Sequence, residues 1–328
     1  MLRDGARTIW RLPSLHVAER LGVPYSVPLG PHVREAMAAV ACADLVHVHG
    51  ALYAQTVLAR RAAQRGGAAL VLTEHVGLVP YRSALRNVVQ RWAWQTIGAR
   101  TVAQADAVTT LSARVHDFVG GYTDAGAIRA TIPNGVDTSR FAPPTDAERA
   151  SSRSTLGLPA SGTLVLFVGR AASKKNRDQL LAIPRTGWTL VLCGAARGLR
   201  LDGVIDLGVL DARQMEAAYR ACDLLAHPAE GEGFPLAVQE AMASALPVVL
   251  RWDAGYGATL SREVVQSVDD AATFASALGA LVTDAGARRT AGAAARAWAA
   301  ARWGWDATVA AYERVYEAAL VARRRRDG

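Results

Sequence analysis

Two glutamates, Glu232 and Glu240, stand on either side of the run Gly233-Phe234-Pro235-Leu236. A Gly-Phe-Pro-Leu turn ahead of a helix presents backbone N–H groups at the helix start, where anions bind. Carboxylates beside an anion site suit a ligand that also offers hydroxyls, and a sugar nucleotide offers both. If Pro235 opens the helix, Glu240 lies more than one turn inside it while Glu232 precedes the turn. The pair then reaches different ends of one elongated ligand. The plainer reading is a solvated helix face, and the setting weakens it. Cys222-Asp223-Leu224-Leu225-Ala226 reads as a short buried strand, and the loop beyond a strand's carboxyl end is where open α/β sheets place ligands.

A second constellation is Gly169-Arg170-Ala171-Ala172-Ser173-Lys174-Lys175, between the apolar run Leu164–Val168 and a helical stretch. The chain holds 35 arginines but only two lysines, adjacent in this turn. That placement points to a demand for a compact ammonium. Arg and Lys at a strand end clamp a diphosphate; a basic loop without consequence is the alternative. The turn is neither a Walker A loop nor a GxGxxG dinucleotide loop. His47 and His49 share one side of a strand, and His75 ends the next. No third ligand at metal spacing accompanies them, so His75, inside Thr73-Glu74-His75-Val76-Gly77, is the better functional candidate. From Arg82 to Arg100, arginines alternate with Trp92 and Trp94. A core helix with tryptophans inward and arginines outward is set ahead of an amphipathic, membrane-facing one.

The elements that must carry these residues alternate. Apolar runs such as Leu190-Val191-Leu192 and Val248-Val249-Leu250 are separated by helical stretches, the pattern of parallel α/β sheets. The 328 residues suit two domains of Rossmann size. Pro133-Asn134-Gly135-Val136-Asp137, with Pro143-Pro144 after it, gives turn and linker signals. A domain boundary is placed here, near residue 140. The basic run Arg323–Arg326 reads as solvated.

The net charge is +8. Residues 1–140 carry 15 arginines against 9 Asp and Glu, and the remainder 22 cationic against 20 acidic residues. A surplus held mostly in the first half suits a phosphorylated substrate or an anionic membrane surface; no nucleic-acid motif accompanies it. Three cysteines, Cys42, Cys193 and Cys222, do not make a disulfide framework. No apolar run is long enough to span a bilayer, and no signal-peptide pattern opens the chain. The expected location is the cytoplasm, at the inner face of the membrane.

Together these pieces resemble the retaining glycosyltransferases of the GT-B fold, family 4. Glu232-Gly233-Phe234-Pro235-Leu236-Ala237-Val238-Gln239-Glu240 is similar to the family's E-x7-E motif. Phe167-Val168-Gly169-Arg170 with Lys175 is similar to its donor-phosphate clamp, and Ile132-Pro133-Asn134-Gly135-Val136-Asp137 to its interdomain element. The resemblance implies two Rossmann-like domains, an acceptor-side one over 1–140 and a nucleotide-sugar-binding one over 141–304, with a helix over 305–328 crossing back to the first. It implies a nucleotide-sugar donor (UDP- or GDP-sugar), a glycan, lipid-linked or small-molecule acceptor, and no metal. Glu240 would bind ribose hydroxyls and Glu232 sugar hydroxyls. The amides of Gly233 to Leu236 would meet sugar and phosphates. Arg170 and Lys175 would neutralise the leaving diphosphate, and His75 would position the donor sugar. Base selectivity would rest on loops near Cys193–Arg197 or Val204–Leu210.

There are departures from the family pattern. Asn176 stands where glycine is common, and Ala245-Leu246 replaces a small-Gly pair. The family's N-terminal strand and Gly-rich turn are not seen before His47, so the first domain is expected to be truncated, by roughly 50–70 residues from the size of a βαβ unit. A remnant that binds donor or partner without transfer, and a sugar-nucleotide epimerase on the same scaffold, stand as alternatives.

Overall fold

Short runs of aliphatic and β-branched residues, each followed by a helix, settle into two parallel sheets. The computed structural model describes residues 2–4, 7–16, 26–79, 81, 83–123, 127–170, 172–194 and 198–327. The chain divides into two units: Met1–Ile132 with Ala310–Gly328, and Pro133–Val309.

In the first unit β1 (Leu45–His49), β2 (Ala69–Glu74), β3 (Ala107–Thr110) and β4 (Ile128–Thr131) lie side by side in chain order, all parallel. Right-handed crossovers that always advance in one direction put their helices on one face. Val46, Val48, Leu70, Leu72 and Val108 point to that face and pack with Ala63, Val102 and Val115 of the helices. Their neighbours in sequence, Ala69, Val71 and Ala107, point to the other face. Val315 and Ala319 of the last helix, Trp305–Asp327, cover them there. Small side chains on the sheet let that helix approach. Arg326 also reaches the buried Asp106 at 3.2 Å, so the basic run is not wholly solvated as expected. The Asp106 carboxylate itself accepts the Leu70 N–H at 2.8 Å.

The Arg/Trp segment is not one smooth helix. Ala84–Ala93 is α-helical, Trp94–Gly98 makes a π-turn and Ala99–Ala103 resumes the α-helix. Trp94 is buried against Phe118, 4.7 Å away edge-on, and its ring lies over Gly98, where any Cβ would come within 2.3 Å of it. Trp92 is exposed while Gln90 is buried. The expectation of tryptophans inward therefore holds for Trp94 and fails for Trp92. The reason is that two residues of helix separate them, which puts the two rings on different faces. Arg82, read into the same segment, lies outside the described residues.

In the second unit, β5 (Thr163–Val168), β6 (Trp188–Cys193), β7 (Val204–Gly208), β8 (Leu224–His227), β9 (Val248–Arg251) and β10 (Gln266–Val268) are all parallel. Their order across the sheet is β7-β6-β5-β8-β9-β10. The chain thus winds outward one way, returns to the middle, and winds outward the other way. Val165, Phe167, Leu190, Leu192, Leu224 and Ala226 form the core with Phe274 and Leu278 of the helix Ala271–Thr283. Asp223, just ahead of β8, is held by Arg149 at 3.1 Å and Arg153 at 2.9 Å and accepts the Leu164 N–H at 2.8 Å, which fixes β8 against β5.

The helix Leu236–Ala243 ends with Ala245 in the left-handed region, φ 56°. The Leu246 N–H reaches back to the Ala241 carbonyl at 2.9 Å and the Ala245 N–H to that of Met242 at 3.1 Å, a Schellman closure that favours glycine at this position. A left-handed alanine costs about 1–2 kcal/mol, partly offset by the about 0.5–1 kcal/mol that glycine loses on ordering. We therefore expect Ala245→Gly to stabilise the protein by about 0.5–1 kcal/mol. Calorimetric melting checks this, and a Tm at or below the parent's contradicts it.

Candidate functional site

The order of strands in the second unit has one reversal, between β5 and β8. Loops leaving adjacent strands in opposite directions open a crevice at such a point, where open α/β sheets bind ligands. The loop after β5 carries Gly169 to Lys175, and the loop after β8 carries Pro228 to Pro235. Both sequence-derived constellations of this unit therefore meet at one place.

They meet through an ion pair. Lys175 Nζ lies 2.8 Å from Glu232 Oε1 and 2.9 Å from Oε2. Lys174 Nζ is 3.7 Å from the same carboxylate. His227, wholly buried at the end of β8, puts Nε2 3.3 Å from Glu232 Oε2. Burial works to raise the Glu232 carboxyl, but His227 and then Lys175 outweigh it and hold it below the ordinary carboxylate range. Burial pushes His227 down despite that carboxylate. Burial likewise lowers Lys174. The stem of Lys175 passes over Gly169, whose Cβ-less backbone lets Cδ approach to within 3.1 Å of where a Cβ would stand. Lysine has three donors; the two Glu232 oxygens can occupy two and leave a third. Arg170 is exposed and makes no ion pair among the described residues.

Backbone contacts lock the two loops. The Glu230 N–H donates to the Lys174 carbonyl at 2.9 Å. Asn176, at φ 49°, donates from Nδ2 to the Pro228 carbonyl at 3.1 Å and to Glu230 Oε1 at 3.0 Å, and Arg251 also pairs with Glu230. This accounts for asparagine where the family pattern has glycine. Asparagine tolerates the left-handed region better than most residues and adds a side-chain tie that glycine lacks.

Pro235 is the N-cap of the helix Leu236–Ala243, and no side chain caps its first turn. The N–H groups there are open to an anion. Gly233 and Pro235 are buried and Leu236 is exposed. The Phe234 ring packs edge-on against Tyr256 at 5.5 Å and Trp303 at 5.4 Å. Its side chain anchors the turn, leaving only its backbone to face a ligand. Glu240, the fifth residue of this helix, accepts a hydrogen bond from the buried Tyr219 hydroxyl at 2.7 Å. Burial raises the Glu240 carboxyl, against Tyr219 and Arg140. The two glutamates thus differ: Glu232 is gripped by cations, and Glu240 by one neutral donor. Tyr219 and His227 were not singled out from sequence. A strand-end histidine three residues before a Glu-Gly-Glu-Gly loop is a usable signal; Tyr219, on the preceding helix, offers none.

His75 belongs to the first unit. It follows β2, and its Nε2 lies 3.0 Å from His49 Nδ1. His47 is held between the Tyr316 hydroxyl at 2.8 Å and Thr73 Oγ1 at 2.7 Å. Among the described residues no group of three or more metal-ligating side chains forms. Glu74 is buried and accepts the N–H groups of Ala51, His75, Val76 and Gly77, which fixes the backbone that carries His75. Ala171 and Ala195 to Arg197, named in the sequence reading of the donor loops, lie outside the described residues.

Residues 162–284 match the family described as Glycosyl transferases group 1, and residues 3–140 match Glycosyltransferase Family 4. A D-inositol 3-phosphate glycosyltransferase of Xylanimonas cellulosilytica is 32% identical over 309 residues, covering 85% of this chain and 73% of that protein. Its counterpart in Salinispora arenicola is 32% identical, with 95% and 80% covered. Among solved structures, sucrose-phosphate synthase of Thermosynechococcus elongatus superposes with a TM-score of 0.72 at 23% identity, over 89% of this chain and 78% of that one. The Anabaena protein HepE, solved with UDP-glucose, gives 0.69 at 20% identity, over 88% and 81%.

The first unit gives a pH prediction. Burial first, then His49 and His75, lower His47 from 6.5 to about 4. The unfolded chain therefore takes up a proton between these values that the folded chain refuses. The stability held by neutral His47 is complete above pH 6.5 and is lost as pH falls towards 4. His47→Gln should reduce the drop in urea midpoint between pH 7 and pH 5, within the window that shift sets. A drop equal to the parent's contradicts the assignment.

Proposed function

The chain belongs to the group 1, family 4 glycosyltransferases, and from that premise we propose that it moves a hexose from a UDP- or GDP-sugar to an acceptor hydroxyl with retention of anomeric configuration. The observation that carries this reading is the Lys175–Glu232 pair at the reversal between β5 and β8. Cation, carboxylate and uncapped helix start together suit a ligand with phosphates at one end and hydroxyls at the other.

In the proposed reaction the acceptor oxygen bonds to the anomeric carbon as the bond from that carbon to the diphosphate breaks. The nucleoside diphosphate leaves with the electron pair, and the acceptor proton passes to a phosphate oxygen. Negative charge grows on the diphosphate. Arg170, the third donor of Lys175 and the amides of Gly233 to Leu236 are the groups we assign to meet it, by preorganised electrostatics. This assignment requires no metal, and activity should survive chelation. Glu232 is written as a hydroxyl acceptor rather than a nucleophile, because Lys175 already neutralises its charge. Glu240 is assigned to the ribose, with Tyr219 orienting it. His75 is assigned to positioning the sugar. For the acceptor, a glycan, a lipid-linked sugar and a small molecule all fit. The names of the relatives favour testing an inositol phosphate among them.

Calorimetry with UDP and GDP, and turnover with the preferred sugar donor, test the site. Glu240→Ala should weaken nucleotide binding about tenfold, the loss of one charge-assisted hydrogen bond. Lys175→Ala should lower kcat about 10²–10³-fold, the usual effect of removing one transition-state donor. If both variants bind and turn over as the parent does, the site is assigned wrongly. Inverted product stereochemistry would overturn retention while leaving the site intact.

A further inference from the structure

The helix Ala84–Ala93 is turned inside out. Its uncharged polar residues face the protein: the Asn87 side chain accepts the Tyr81 N–H at 2.9 Å and donates to the Tyr81 carbonyl at 2.8 Å, and the buried Gln90 accepts the Val79 N–H at 3.2 Å. Its apolar residues face out. Leu85 is 72% exposed, Val88 62%, Val89 54% and Trp92 62%. Positions i, i+3, i+4 and i+7 form one helical stripe about 100° wide. Single exposed hydrophobic residues need no explanation, but a contiguous stripe marks an interaction surface. The inward polar bonds hold the helix in this orientation, so the stripe is a fixed feature of the unit.

The charges around the stripe identify what it fits. Arg86 and Arg91 flank it on its two sides, and both are exposed. From His75 to Ala105 the chain has no Asp or Glu. A two-fold contact with a second copy would bring these arginines near their equals with no carboxylate of the segment to offset them. Arg91 and Arg114 also line a cleft of about 290 Å³ beside the helix. Apolar residues with an outward tryptophan, edged by arginine, are the composition of a helix lying in a bilayer interface. No helix among the described residues is long and apolar enough to cross a membrane, which leaves attachment to its surface. We propose that the outward face of Ala84–Ala93 seats the protein on a membrane whose headgroups are anionic. The residues concerned are separate from those assigned to the donor, so this surface and the transfer reaction stand or fall independently.

The test is co-sedimentation of the full chain with vesicles of phosphatidylcholine alone or with one-third phosphatidylglycerol. The protein should sediment with the anionic vesicles and release as salt rises. Each arginine at an anionic surface contributes about five-fold in partitioning, so Arg86→Ser with Arg91→Ser should lower it about 25-fold. Trp92→Ser should lower it about tenfold or more through lost apolar burial. Because all three side chains are exposed, the variants should melt as the parent does and bind nucleotide as it does. Failure of the parent to sediment with anionic vesicles at low salt overturns the proposal. So does sedimentation that the variants leave unchanged. A dimer in light scattering that Trp92→Ser dissolves would assign the stripe to a second copy and overturn it as well.

Discussion

The pairing of Lys175 with Glu232 is the interaction on which the second unit's ligand crevice depends. It joins the loop after β5 to the loop after β8 across the one place where the sheet changes direction. Without the ammonium, the buried Glu232 carboxylate would lose its shortest ion pair and keep His227 and the more distant Lys174, and removing one partner of a buried pair is costly. The surrounding contacts are arranged to keep the pair together: the Glu230 amide on the Lys174 carbonyl, Asn176 on the Pro228 carbonyl, and Asp223 bracing β8 against β5 from below. Phe234 holds the far side of the loop in the core. The charged pair is thus a clasp between the two loops, and it is also the group proposed to face the ligand. In the proposed reaction the diphosphate draws on the same ammonium that holds the loops closed, which couples ligand binding to loop geometry.

Much of this was legible in the amino acids. Most strands of both sheets follow from their apolar runs, though the edge strand Gln266–Val268 has none, and the crevice follows from which loops leave them. The rarity of lysine singled out the turn that carries Lys175. What sequence did not supply was partnership. Lys175 was assigned to the diphosphate and Glu232 to sugar hydroxyls with no contact between them, but the structure pairs them, because the strand order brings positions 57 residues apart to adjacent strands. Tyr219 lies 21 residues from Glu240 and has no local signature. Trp92 and Trp94 look alike in sequence, and only the protein's position on one side of the helix decides which is buried. Asn176 and Ala245, read as departures, both turn out to occupy left-handed backbone, where one gains a hydrogen bond and the other bears a strain.

The first unit shows a different economy. Its sheet buries β2 and β3 at every position, and polar groups at the strand ends are satisfied in chains: Tyr316 to His47, His47 to Thr73, Thr73 to Thr109. Such a chain tolerates a neutral imidazole and resists a charged one, which is why burial depresses all three histidines there. Neighbouring histidines that repel one another when charged hold this end of the sheet in a single protonation state at neutral pH.

The last helix has a consequence for how the protein is made. Val315 and Ala319 close a sheet face formed by residues near 69, 71 and 107, so the first unit's core draws on a helix that lies far along the chain from its strands. A ribosome delivers the strands of that sheet well before their cover. In the interval, the second unit can complete its own core while the first waits with one apolar face uncovered. A nascent chain of this design calls for protection of that face until Val315 and Ala319 have emerged.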